Sequence, residues 1–170
     1  VVSPVLSSGS KIGLLLLLTI AGWQCLEAPN YPDEPYIEFL SLSKDTMDQG
    51  IFQQDSLIVR FRFEDGDGDI GRTDADPENN IFFIDERTGT LGNTFGIPTI
   101  PEDGAGNGVE GEVRIVLFST CCIYPDGSDP CMPNAQFPLD TIQYRIYIKD
   151  RADHKSNEIL TTPIILRCNP

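Results

Sequence analysis

Histidine is nearly missing from this chain: His154 is the only one in 170 residues. That scarcity removes His-rich metal centres, and the one histidine available to a Ser-His or Cys-His pair lies in a polar turn. No G-x-S-x-G, H-E-x-x-H or phosphate-loop motif takes their place. Basic charge is scarce as well, with 12 Lys and Arg against 26 acidic residues and a net charge of −14. With no Lys/Arg cluster, nucleic acid is excluded as a partner, and anionic headgroups would not attract the domain. Long apolar runs are lacking too. The longest, Ile12 to Gly22, would rise about 16 Å as a helix, short of the ~30 Å hydrocarbon core. Helical periodicity is absent beyond the N-terminus, whereas Gly (15) and Pro (13) are frequent, which favours an all-β chain. Many acids are available to assemble a glycosidase pair, but nothing in the spacing singles one out. The chain reads as non-enzymatic.

What is present begins with export. Lys11 precedes the short apolar run, and that pattern marks residues 1–24 as a signal peptide to be removed. Cys25 follows closely, a position that resembles the acylated cysteine of bacterial lipoproteins, although Gly22 and Gln24 stand where those motifs carry Leu and a small residue. Cleavage after Ala21 is the competing reading. Five cysteines in an exported chain leave one over. Lipid on Cys25 would let the other four form two disulfides and would anchor the protein to a membrane. Residues 25–35, with Pro29, Pro32 and Pro35, then read as a stiff tether.

Residues 36–170 carry the strands. Tyr36 to Ser43 reads as the first. In Leu57 to Glu64, Leu57, Val59, Phe61 and Phe63 fall on one face, and Arg60, Arg62 and Glu64 on the other. Asn80 to Asp85, a weak segment at Thr94 to Ile97, and Glu112 to Thr120 follow. Thr141 to Lys149 alternates as cleanly, with Ile142, Tyr144, Ile146 and Ile148 inward. In Glu158 to Cys168, Pro163 requires an edge or a bulge. About seven strands between turn signals predict an immunoglobulin-like β-sandwich, with a small barrel as runner-up.

Adjacent Cys121 and Cys122 leave a strand on opposite faces and do not readily bridge each other. Continuing the parity of Val113, Ile115 and Leu117 puts Cys121 inward. The expected pairs are therefore Cys122–Cys131 and Cys121–Cys168, with the swapped pairing as the alternative. Zinc lacks paired C-x-x-C units and a nearby histidine.

The densest acidic stretch, Glu64 to Gly71, directly follows the clearest strand. Counting from Asp65, the positions of a twelve-residue calcium loop fall on Asp65, Asp67, Asp69, Gly71, Thr73 and Asp76, with Asp74 and Glu78 in reserve. Ile70 stands where an EF-hand needs glycine, and Asp76 where it carries glutamate. A calcium turn between strands and a plain polar turn both fit this pattern.

Two segments carry a family resemblance. Phe63 to Gly71 is similar to the Phe-x-Asp-Gly-Asp-Gly-Asp-[Ile/Leu]-Gly segment of uncharacterised lipoproteins of Bacteroidota. Tyr144 to Asn157 resembles the Asp-Arg-Ala-Gly-Asn-x-Ser-Asn turn before the last strand of bacterial immunoglobulin-like domains, with Asp153 and His154 in place of Gly-Asn. The resemblance covers residues 25–168 and implies no activity. The expected role is a non-catalytic, lipid-anchored module of the outer membrane, periplasmic or at the cell surface, which binds a protein or glycan partner or helps assemble outer-membrane complexes. The alternative is a carbohydrate-binding module in polysaccharide uptake, for which Tyr124, Phe137 and Tyr147 are the candidate platform aromatics.

Overall fold

Alternating apolar residues on half-buried strands drive the architecture seen in a computed structural model, which describes residues 31–72, 78–100 and 108–170. No helix occurs among these residues. Ten strands do: β1 (Tyr36–Leu42), β2 (Thr46–Asp48), β3 (Ser56–Asp65), β4 (Ile81–Asp85), β5 (Thr90–Phe95), β6 (Val109–Phe118), β7 (Leu139–Ile142), β8 (Tyr144–Ile148), β9 (Ile159–Leu160) and β10 (Ile164–Arg167). They form three sheets, ordered β1-β3-β6, β2-β10-β7 and β5-β4-β8-β9. All pairings are antiparallel except β2 with β10. The inward faces share one core, in which Phe61, Phe83, Ile146 and Ile148 are fully buried. This is the expected all-β sandwich. Outside it, Arg60 pairs with Glu112 and Arg62 with Glu38 across neighbouring strands.

The strand count exceeds the expected seven because two predicted strands are each divided and a short strand, β2, forms where none was predicted. Thr141 to Lys149 breaks at Gln143, where the chain leaves the β10 sheet and joins the β4 sheet. The inward parity of Ile142, Tyr144, Ile146 and Ile148 passes through this break undisturbed. Glu158 to Cys168 breaks just before Ile164, at the proline that cannot donate to a ladder.

The disulfides correct the expected pairing. Cys121 bonds Cys131, and Cys122 bonds Cys168. The parity argument fails because β6 ends at Phe118. Beyond it the chain is held from elsewhere: the Cys122 amide donates to Gln49 Oε1 at 3.1 Å, and the Gly50 amide to the Thr120 carbonyl. These bonds turn Cys122, not Cys121, into the core, where it and Cys168 are both fully buried.

At this same end lies an ion network. Arg87, on the turn after β4, reaches Asp85 Oδ2 at 2.7 Å and Asp140 Oδ2 at 2.6 Å. Its Nη1 also donates to the Cys121 carbonyl at 3.0 Å. The Arg87 side chain is only 11% exposed, so its charge is matched by carboxylates rather than by water.

Candidate metal centre

The alternation that buries β3 does not stop at its last hydrophobic residue. Leu57, Val59, Phe61 and Phe63 point inward, and the next residue of that parity is Asp65, fully buried. β8 repeats the arrangement: Tyr144, Ile146 and Ile148 are followed on the same face by Asp150, also fully buried. Two strands thus each deliver a carboxylate to the same end of the core.

The loop after β3 brings two more. Gly68, buried and at φ 73°, takes the left-handed backbone that glycine adopts without strain. Ile70 then returns to plug the core, and its amide donates to Asp65 Oδ2 at 3.0 Å. Buried Asn80 locks this loop in place. Its Nδ2 donates to the carbonyls of Ile70 (2.7 Å) and Lys149 (3.1 Å), and its Oδ1 accepts from the Ile97 amide at 2.8 Å. The Arg151 amide donates to Asp69 Oδ1 at 3.3 Å, linking the loop to the segment after β8. Carboxylate oxygens of Asp65, Asp67, Asp69 and Asp150 consequently lie within 4.8 Å of one another.

Four carboxylates in that space are electrostatically costly. Burial, reinforced by Asp67 and Asp69, pushes the Asp65 carboxyl up to about 7. Burial and Asp150 also raise Asp69. Asp65 Oδ1 is buried and has no hydrogen-bond partner. Asp150 fares better: His154 Nδ1 stands 2.9 Å from its Oδ2, and the His154 amide donates to Oδ1 at 2.8 Å. That contact holds the imidazole pKa above its ordinary value. The turn places Asp153 at φ 66°, in the left-handed region.

The acidic cluster can hold a metal ion. An all-oxygen donor set suits a hard cation, which would relieve the mutual repulsion and give Asp65 Oδ1 a partner. Of the ligands expected from sequence, Asp65, Asp67 and Asp69 converge. Gly71 turns its carbonyl to Arg151 Nη1 at 2.8 Å. Thr73, Asp76 and the reserve Asp74 lie outside the described residues, as does Cys25. Glu78 is exposed and stands apart from the four. Asp150 is the member of the cluster that loop spacing missed. The signal was present all the same, because it continues the inward parity of β8.

Tyr31 and Pro32, in the segment expected to be an extended tether, instead pack against this corner. The Gly66 amide donates to the Pro32 carbonyl at 2.8 Å, and Tyr31 Oη donates to Glu110 at 2.9 Å. A Cβ at Gly66 would sit 2.4 Å from the Tyr31 carbonyl, so the close approach requires glycine there. The aromatics of the glycan reading are engaged elsewhere. Tyr124 is buried and donates to the Met132 carbonyl, Phe137 packs on it, and Tyr147 is stacked on Phe82 beneath the Lys155 ammonium.

No protein-family model, curated protein or solved structure matches this chain.

Proposed function

We propose that this chain is a non-catalytic module of the cell envelope, anchored by lipid on Cys25, stabilised by calcium, and acting in binding or in assembly of outer-membrane complexes. The observation that carries the calcium reading is the buried, unpartnered Asp65 oxygen within a group of four carboxylates. Oxygens on opposite sides of one calcium ion lie about 5 Å apart, in keeping with the span of this cluster. Asp65, Asp67, Asp69 and Asp150 would be the protein ligands, with water completing the shell. Bound calcium would supply charge neutralisation and cross-link the β3 loop to the end of β8. Two disulfides favour an oxidising compartment outside the cytoplasm.

Two experiments test this reading. Melting the oxidised protein in calcium and in chelator should show a higher midpoint with calcium, and that gain should vanish in Asp67→Asn/Asp69→Asn. In a bacterial host, labelled palmitate should enter the chain and place it in the membrane fraction, whereas Cys25→Ser should carry no label. An unlabelled chain recovered only in the soluble fraction would overturn the anchor.

A further inference from the structure

Strand β6 is ten residues long and, among the described residues, pairs with β3 alone. Its register with β3 is unbroken from Ser56↔Phe118 to Asp65↔Val109. The strand contains no proline, lysine or bulge, and the charges along it, Glu110, Glu112 and Arg114, are of both signs. A groove of about 710 Å³ runs beside it, lined by Val109 to Val116 on one side and Gly96 to Ile100 on the other, over a floor of Phe63, Ile81 and Phe95. Because consecutive β6 residues of both parities line this groove, it exposes the strand's edge and not one of its faces.

We propose that a second copy of this chain fills it, β6 against β6 in antiparallel register, joining two three-stranded sheets into one of six strands. A two-fold axis normal to the sheet keeps both inward faces on the same side, so the apolar linings of the two grooves meet. It also fixes the register. Centred on Val113, the axis sets Glu112 opposite the partner's Arg114, and Arg114 opposite the partner's Glu112. On the inward face Ile115 then lies opposite the partner's Gly111, the bulkier side chain against the residue that has none. Shifting the centre by one residue either way stacks Arg114 on itself or Glu112 on itself. Charge complementarity therefore selects the copy and its alignment. Within one chain Arg114 Nε donates to Glu112 Oε1 at 2.7 Å on an exposed surface, so the dimer exchanges this pair in each copy for two such pairs between copies. The net charge of −14 on each copy opposes association, so the test belongs at about 0.15 M salt, where screening acts beyond ~8 Å.

The test uses the full oxidised chain in non-ionic detergent, on a Cys25→Ser background to remove the spare thiol. Sedimentation should show a concentration-dependent dimer. Val113→Cys, self-opposed at the axis, should form a disulfide-linked dimer on a non-reducing gel, whereas Val116→Cys, far from its own symmetry mate, should not. Arg114→Glu keeps the fold, since it puts a carboxylate opposite Arg60, and should weaken the dimer at least ten-fold. A monomer at 100 µM would overturn the proposal. So would a dimer in which Val113→Cys stays unlinked and Arg114→Glu changes nothing.

Discussion

The two ends of the β4–β8 pair treat clustered aspartates in opposite ways. Where β4 ends, Asp85 and Asp140 flank Arg87, and the disulfides close around the same corner. Where β4 begins, Asn80 organises a loop that draws Asp65, Asp67, Asp69 and Asp150 together, and among the described residues their ion pair is that of His154 with Asp150. The first end is complete in its own charges and covalent bonds. The second is complete in hydrogen-bonded scaffolding but not in charge. A rigid frame around like charges, with one carboxylate oxygen left unpaired, is what distinguishes a prepared cation site from a solvated acidic turn.

This contrast predicts mutational effects of opposite sign. At the finished end, Cys122→Ala/Cys168→Ala removes a fully buried bridge across a sequence separation of 46 and should cost about 4 kcal/mol in a denaturant titration. Arg87→Ala leaves Asp85 and Asp140 without their cation, and should cost about 3 kcal/mol in the same assay. At the acidic end, Asp67→Asn/Asp69→Asn should do the reverse in chelator, stabilising the protein by about 0.5–1 kcal/mol as repulsion is relieved. Loss of stability in chelator would show that these two carboxylates hold the loop through hydrogen bonds instead.

The pH slope reads the same repulsion at the acidic end. With its carboxyl raised to about 7, folded Asp65 keeps a proton that the unfolded chain has already released. Metal-free stability should therefore fall as pH rises from about 4 to 7. The raised His154 acts in the same direction: its contribution is present below the unfolded value near 6.5 and is lost as pH climbs through the folded value. Calcium should reverse the slope, because a bound cation needs ionised carboxylates. Thermal midpoints at pH 5 and pH 8, with and without calcium, read both signs. An unchanged slope on adding calcium would remove the metal from the account.

Much of this arrangement was legible in the sequence wherever strands are half buried. The alternation through β3 and β8 marks the core, and carrying it one residue pair further marks Asp65 and Asp150 as inward carboxylates. Counting along a single loop could not find Asp150, because the cluster closes through the Asn80 hydrogen bonds and the β4–β8 pairing, which local pattern does not encode. Parity misled at Cys121 and Cys122 because it was carried past Phe118, where the ladder had ended and Gln49 had taken over the backbone. It was silent at Gln143, where the chain changes sheets without changing face. Tyr124 escaped for a related reason: the side chains of Gln49 and Phe137 that cover it belong to distant segments.

The measurement closest to the central claim is a calorimetric calcium titration of the oxidised chain after removal of metal by chelator, with Asp67→Asn/Asp69→Asn alongside. The account predicts one saturable site with a dissociation constant between about 10⁻⁶ and 10⁻³ M, lost in the variant. Heats no larger than dilution in the unmodified chain would contradict it and leave the Asp65 corner an acidic turn.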